Sequence, residues 1–152
     1  MRDDSHTTQP AGRAAIDAKA LAARYVALWM EPNPDVRRGI IGELWAVDGA
    51  HVLEPPREIR DAAKALGFRP PALHARGYDA LEARVTRAHE EFVAPGRFAF
   101  RPRDDASRLN DVVKFHWEMV PAGGGAVSAV GLEILVLDLE ERIKVDYQFI
   151  ET

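Results

Sequence analysis

With 152 residues, the chain has the length of one globular domain that can bury a single hydrophobic core. Its hydrophobic fraction of 47% and charged fraction of 29% are ordinary for such a domain, and a formal net charge of −4 argues against a nucleic-acid partner. Because the chain contains no cysteine, disulfides, thiolate metal sites and cysteine nucleophiles are excluded.

The first residues of the chain are polar and differ from the rest. Residues 1–12 carry two aspartates and lack the apolar stretch of a secretory signal. No apolar run approaches the roughly 18 residues that a membrane span needs. We therefore expect a mobile tail over residues 1–15, a single domain over residues 16–152, a cytoplasmic location and no membrane partner.

Helical patterns dominate the first part of the chain. Apolar residues recur at helical spacing from Ile16 to Met30. A second helix is predicted to begin at Pro34, because Asn33 can cap it and proline suits the first helical position. Its predicted buried stripe is Val36, Ile40 and Leu44. A turn at Asp48-Gly49 and a short strand over residues 50–53 should follow.

A long connection over residues 55–76 separates these helices from the next one. We expect a short helix over residues 57–66 inside this connection, and long ordered connections are commonly functional or mobile. The next helix is predicted over residues 78–92, ended by Pro95-Gly96.

Alternating patterns typical of antiparallel strands fill the remainder. Strands are predicted over residues 97–101, 113–119, 127–137 and 142–150, with a hairpin loop at 121–125 and a turn at 138–141. Helices first and strands afterwards indicate an α+β domain with its helices on one face of a curved antiparallel sheet.

Three residues stand out within this order of elements. Tyr25 lies in the first helix, Glu54 precedes Pro55 after the second helix, and Glu133 is the lone charge of the run 127–137. This layout resembles the nuclear transport factor 2-like superfamily, and within it the SnoaL-like proteins and ketosteroid isomerases. The resemblance covers about residues 16–152. It implies a cone of about three helices packed on a strongly curved antiparallel sheet, no cofactor, and a homodimer.

The resemblance also implies roles for these residues. In ketosteroid isomerases a carboxylate takes a proton next to a carbonyl, while a tyrosine and a neutral acid hydrogen-bond the resulting oxyanion. By this likeness Glu54 would be the base, and Tyr25 and Glu133 would be the two oxyanion donors. Both acids are glutamate where the isomerases have aspartate.

Each of these residues also has a structural interpretation. Tyr25 could be a core tyrosine, and Glu54 could be a solvated loop acid. An ion pair at a subunit interface could account for Glu133, since burying an unpaired ion costs several kcal/mol. Residues predicted to line a cavity are Trp29, Trp45, His89, Phe115, Trp117, Met119, Asp146 and Gln148.

The histidines give little further indication of a site. The five histidines show no pair with metal-ligand spacing, so no metal is expected. His116 alternates with the apolar residues of its strand and is predicted to face outward, into a dimer contact. His51 and His74 receive no role.

Three functions follow as hypotheses. The first is a cofactor-independent isomerase or cyclase that moves protons next to the carbonyl of a small apolar molecule. The second is a non-catalytic dimeric module that binds a hydrophobic ligand or a protein. An epoxide hydrolase is the third, and it would need a cluster of carboxylate, asparagine and arginine that spacing alone does not assemble.

Overall fold

The computed structural model describes residues 15–69 and 72–151. Residues 1–14 of the tail predicted over residues 1–15 therefore lie outside the described residues. Residue 152, the last one of the predicted domain, also lies outside them. The helices are α1 (Ala18–Met30), α2 (Pro34–Leu44), α3 (Arg57–Ala65) and α4 (Tyr78–Ala88), and a π-helical turn, His89–Val93, continues α4. None of these helices is long and apolar enough to cross a membrane.

Capping residues begin the first two helices. The Asp17 carboxylate accepts from Ala20 N, and the Asn33 side chain accepts from the backbone N–H groups of Asp35 and Val36. These bonds satisfy donors that a helix cannot satisfy internally. The predicted start of α2 is therefore confirmed.

The described residues contain seven strands, which form one curled sheet. They are β1 (Trp45–Leu53), β2 (Leu73–Arg76), β3 (Phe98–Pro102), β4 (Ser107–Leu109), β5 (Val112–Pro121), β6 (Ala129–Leu137) and β7 (Ile143–Glu151). Their order is β2-β1-β7-β6-β5-β3, and β4 pairs with β5. All pairs are antiparallel except β1 with β7, which is parallel, so the sheet is mixed.

Two short strands and one boundary differ from the sequence expectation. β2 and β4 were not predicted, since strands of three or four residues show too little alternation. β1 begins at Trp45, and the expected turn at Asp48-Gly49 is an irregularity inside β1 where its register with β7 shifts. A side chain on Gly49 would meet Ile143 O at 2.6 Å, so glycine permits the close approach of the two strands.

The core lies between α1, α2, α4 and the concave face of the sheet. Ile40 and Leu44 are buried as predicted, but Val36 is 43% exposed. The buried face of α2 instead includes Ile41 and Arg37, whose guanidinium donates to the carbonyls of Glu31 and Pro32. By contrast, α3 buries none of its residues and lies at the edge of the domain.

Candidate functional site

A cavity of about 660 Å³ lies on the concave side of the sheet. Helices α1, α3 and α4 and the π-helical turn contribute side chains to its wall, as do all the described strands but the short β4. Most lining residues are apolar or aromatic, including Val26, Leu53, Phe92, Phe100, Met119 and Ile150. The polar groups on the wall come from Tyr25, His51, Glu54, Gln148 and arginines of α3 and α4. A mostly apolar cavity with a few polar groups is the usual form of a small-molecule site.

Tyr25 links the cavity wall to a pair of buried acids. Its hydroxyl oxygen lies 2.9 Å from Glu133 Oε1 and 2.5 Å from Asp146 Oδ2. Both carboxyls are 0% exposed. The sheet register accounts for the pair: Glu133 lies opposite Gln148, and Leu135 lies opposite Asp146, so both acids point to the same face of adjacent strands.

Glu133 is the acid of this pair whose protonated form is favoured. Burial, the charge of Asp146 and the hydrogen bond with Asp146 hold the pKa of Glu133 well above its ordinary value. Glu133 Oε2 accepts a bond from Trp117 Nε1 at 2.6 Å, so the proton is on Oε1, facing Tyr25 and Asp146. The Tyr25 hydroxyl then donates to the Asp146 carboxylate, and 2.5 Å is a usual distance for such a charge-assisted bond. Asp146 Oδ1 is buried and has no partner among the described residues.

Trp117 reaches Glu133 because its cross-strand neighbour has no side chain. Trp117 lies opposite Gly131, and a Cβ on Gly131 would lie 2.1 Å from the indole ring. The ring therefore lies flat across β6 and brings Nε1 to Glu133, two residues further along that strand. Gly131 is thus required for the neutral acid to have its donor.

His51 completes the polar wall of the cavity and is held by Arg84 and Gln148. Arg84 Nη1 donates to His51 Nδ1 at 3.0 Å. Because a guanidinium can only donate, Nδ1 is the acceptor and the proton is on Nε2, which donates to Gln148 Oε1 at 2.9 Å. Burial lowers the pKa of His51, so the ring is neutral.

His51, Glu133 and Asp146 also form a group in which one nitrogen and two carboxylate oxygens lie within 4.8 Å of one another. The Nε2 atom lies 3.7 Å from Asp146 Oδ2 and 3.9 Å from Glu133 Oε1. A metal would need a lone pair on Nε2, but the bond from Arg84 to Nδ1 places a proton there. These three residues therefore fit a hydrogen-bonded network better than a cation site.

Glu54 lies on the cavity wall away from the acid pair. Its Oε2 accepts from Arg60 Nη1 at 3.1 Å, and its Oε1 accepts from the backbone N–H of Ile150 at 3.2 Å. The side chain is 24% exposed. These two bonds fix the direction of the carboxylate, and each oxygen keeps a second acceptor position.

The structure brings most of the predicted residues together but not all. Those that line the cavity are Tyr25, Trp29, Glu54, Trp117, Met119 and Gln148. Glu133 and Asp146 do not line it, because Tyr25 and Trp117 lie in front of them.

Like Asp146, three further residues that were predicted to line the cavity lie in the protein interior instead. Phe115 is 1% exposed, and its ring meets the ring of Tyr25 edge-on at 5.3 Å, deeper than Trp117 on the same strand. Trp45 fills the space on another side of Tyr25 and donates to Ala50 O. His89 is buried one position beyond the cavity-facing series 84, 88 and 92 of α4 and the π turn, and burial and Arg37 lower its pKa.

His51 and Arg84 are the site residues that the sequence analysis missed. His51 is placed by the parallel pairing of β1 with β7, in which it lies opposite Asp146. No local pattern shows a pairing between strands so far apart in the chain. The position of His51, three residues before Glu54 on a predicted strand, was the one available signal.

Comparison with known proteins agrees with this architecture. No protein-family model and no curated protein matches the sequence. Solved structures match most of this chain. One is a candidate isomerase of the SnoaL-like family from Agrobacterium tumefaciens C58, with a TM-score of 0.70 at 21% identity over 89% of this chain and 97% of that one.

Two further structures match with lower TM-scores. A candidate SnoaL-like polyketide cyclase from Jannaschia sp. CCS1 has a TM-score of 0.56 at 12% identity over 92% of both chains. A nuclear transport factor 2-like protein of unknown function from Mesorhizobium loti has a TM-score of 0.54 at 15% identity, over 91% of this chain and 98% of that one. Four helices packed on a curled seven-stranded sheet, together with these likenesses, identify the fold of this chain as that of the nuclear transport factor 2-like proteins.

Proposed function

We propose that the protein is a cofactor-independent enzyme that moves a proton next to the carbonyl group of a small, mostly apolar molecule, as an isomerase or cyclase would. The observation that carries this proposal is the hydrogen-bonded network of Tyr25, Glu133 and Asp146 behind the wall of an apolar cavity. Networks whose groups have strongly shifted pKa values occur preferentially at functional sites. The candidate isomerase and cyclase names of the similar structures support the same class of chemistry.

In this reaction Glu54 is the base. It removes the proton from the carbon next to the carbonyl, the C–H electron pair forms the enolate double bond, and the carbonyl oxygen takes the negative charge. Glu54 then returns the proton to the substrate at the same or a conjugated carbon. The bonds from Arg60 and from Ile150 N aim the carboxylate during both steps.

Tyr25 is the proposed donor to the developing oxyanion. Burial and the two adjacent acids raise the pKa of its hydroxyl well above the ordinary value, so it stays protonated. When the hydroxyl turns toward substrate, the proton on Glu133 can satisfy Asp146 in its place. Glu133 is therefore a positioning residue that acts through Tyr25, rather than a group that touches substrate.

Deuterium exchange tests the proposal. The probe is 2-tetralone, an apolar bicyclic ketone whose protons next to the carbonyl exchange into D2O and are followed by proton NMR. We expect the protein to accelerate this exchange. Glu54→Gln should reduce the acceleration by roughly 100- to 10,000-fold, the contribution of a general base. Tyr25→Phe should reduce it by roughly 100- to 1,000-fold, as loss of an oxyanion donor does.

Glu58→Gln is the matched control, because Glu58 is an exposed acid at the start of α3, four positions beyond Glu54. It should leave the exchange rate unchanged. If wild-type protein leaves the exchange rate at its value in buffer alone, the proposal is contradicted.

One observation favours a non-catalytic binding module as the second candidate: both oxygens of Glu54 already accept hydrogen bonds. Binding of 2-tetralone without any acceleration would support that module.

A further inference from the structure

We propose that the natural ligand of this cavity carries a carboxylate group, which binds the Nε and Nη2 atoms of Arg84 on the cavity wall. This inference rests on the proposed use of the cavity for a small molecule and specifies the class of that molecule. It would be an apolar carbonyl compound with an acid group at one end.

Arg84 is fixed in place and still has donors to offer. Its Nη1 atom donates to His51 Nδ1, His51 O and Leu73 O at 3.0 to 3.3 Å, which ties the guanidinium to β1 and β2. Its Nε and Nη2 atoms make no hydrogen bond to the described residues. Among all the described residues, the buried polar side-chain atoms without a partner are Trp29 Nε1, Arg37 Nε and Asp146 Oδ1, and no atom of Arg84 is among them. Nε and Nη2 of Arg84 are therefore accessible, on a residue that lines the cavity.

This free edge of Arg84 matches one ligand chemistry. Two parallel N–H donors in a rigid plane fit the two oxygens of a carboxylate, and a bidentate pair of this kind is stronger and more directional than a bond to a single carbonyl. The guanidinium does not need to be ordered on binding, because its third nitrogen is already held.

The charge of the cavity wall agrees with an anionic ligand. Three arginines, Arg57, Arg60 and Arg84, line the cavity, and Glu54 is the one lining acid among the described residues. Glu54 is paired with Arg60. The side chain of Arg57 has no hydrogen bond or ion pair within the described ranges. The whole chain has a net charge of −4, so a positive cavity wall is local and attracts anions to that wall.

The acid pair does not cancel this charge for a ligand. It holds one negative charge, and Tyr25 and Trp117 separate it from the cavity. An acid group at Arg84 would leave the apolar part of the ligand to the aromatic wall formed by Trp29, Phe92 and Phe100. The cavity therefore has a cationic region and a larger apolar region, as expected for an amphiphilic acid.

Isothermal titration calorimetry with two probes of the same shape tests this inference. The probes are 2-naphthoate, an anion, and 2-naphthamide, its neutral analogue. Wild-type protein should bind 2-naphthoate at least about tenfold more tightly than 2-naphthamide, since a hydrogen-bonded charge pair is typically worth such a factor. Arg84→Gln should abolish this preference while the Kd of 2-naphthamide changes less than about threefold. Arg87→Gln, on the exposed side of the same helix and outside the cavity wall, should keep the preference.

Arg84→Lys gives a second test if Arg84→Gln does not fold. Lysine keeps the positive charge but lacks the paired donors, so most of the preference for 2-naphthoate should be lost. Equal affinity of the two probes for wild-type protein, an unchanged preference in the folded variants, or binding of neither probe would overturn the inference. The deuterium exchange of 2-tetralone, a neutral ketone, does not depend on Arg84 binding an anion. The proposed catalysis and the acid-binding role can therefore fail separately.

Discussion

At the scale of single residues, Glu133 makes two hydrogen bonds that a glutamine could also make. Its protonated Oε1 faces Tyr25 and Asp146, and its Oε2 accepts from Trp117 Nε1. A glutamine amide offers the same donor and the same acceptor, with nearly the same volume. Glu133→Gln should therefore keep the local structure and remove only the ability to lose a proton.

This variant gives a prediction about pH. Burial and Asp146 raise the pKa of Glu133, so the folded protein retains a proton that the unfolded chain releases above the ordinary pKa of about 4.3. The associated stability is complete below that value and is lost as the pH rises toward the raised pKa. From pH 5 to 8, the free energy of unfolding of wild-type protein should therefore fall relative to that of Glu133→Gln, by at most about 1.4 kcal/mol per pH unit.

Urea unfolding at several pH values measures this difference. Other titrating groups, such as the buried His51, contribute equally to both proteins and cancel. Glu58→Gln, on the exposed surface of α3, serves as the control and should follow the wild-type curve. A constant difference between wild-type and Glu133→Gln from pH 5 to 8 would show that Glu133 is ionised in the folded protein.

Gly131 provides a prediction about packing. A Cβ at this position would lie 2.1 Å from the Trp117 ring, so Gly131→Ala must displace the indole and break its bond to Glu133. Overpacking of this kind typically costs about 1–3 kcal/mol. We expect a loss of that size in urea unfolding, with a changed near-ultraviolet circular dichroism spectrum. Gly123→Ala is the control, since nothing lies within 4 Å of a Cβ there, and an unaltered spectrum in Gly131→Ala would contradict the assignment.

Part of this site could be predicted from the sequence, because some of its residues indicate a role even when their neighbours in the fold are unknown. A lone acid inside an apolar strand must be neutral or paired, and that argument alone singled out Glu133. His51 and Arg84 carry no such signal, because a histidine on a strand and an arginine on a helix are common on protein surfaces. The sequence analysis gave Gly131 no role, although a glycine within a strand often marks the close approach of another group.

At the scale of elements, local signals predicted the helices well and strand pairing poorly. Capping by Asn33 and the prolines set the helix boundaries near where the structure has them. The parallel pairing of β1 with β7 depends on the whole curled sheet, so no local pattern indicates it. The hairpin of β6 and β7 could be expected, but the register that sets Glu133 beside Asp146 could not.

The exposure of helix α3 predicts that this helix opens locally more easily than the strands do. None of its residues is buried, Ile59 is 47% exposed, and Arg57 and Arg60 contribute to the cavity wall. Amide hydrogen exchange should be faster in α3 than in β6, because few contacts oppose local opening. Saturation with 2-tetralone should slow exchange in α3 if this helix covers the ligand. Equal protection of α3 and β6, unchanged by the ketone, would contradict a covering role.

At the scale of the whole molecule, the convex face of the sheet carries apolar side chains. Tyr147 and Phe149 are each 42% exposed, and Ile134 and Leu132 lie opposite them on β6. His116, predicted to lie in a dimer contact, points to this face and bonds to Asp105 and Glu151. Exposing an apolar sheet face to water is unfavourable, so such a face is often covered by another molecule. We propose that a second copy of the chain covers this face.

Sedimentation velocity tests this homodimer. Wild-type protein at micromolar concentration should sediment as a dimer, and Tyr147→Lys should shift it toward the monomer by placing a charge in the contact. Leu139→Lys is the control, because Leu139 is 87% exposed in the turn between β6 and β7 and lies outside that face. A wild-type monomer would remove the proposal.

The parallel pair of β1 and β7 also has a consequence for how the protein folds. His51 and Asp146 are neighbours in the sheet but about a hundred residues apart in the chain, so the site is made from contacts of high sequence separation. Closing such a long loop lowers the entropy of the chain before any stabilising contact forms. Chains dominated by contacts of high sequence separation therefore fold slowly. During synthesis, the helices and β1 emerge long before β7 exists, and the interior position of β7 in the sheet stays open meanwhile. The nascent chain therefore exposes two unpaired strand edges, on β1 and β6, and the acid pair forms only when β7 inserts between them.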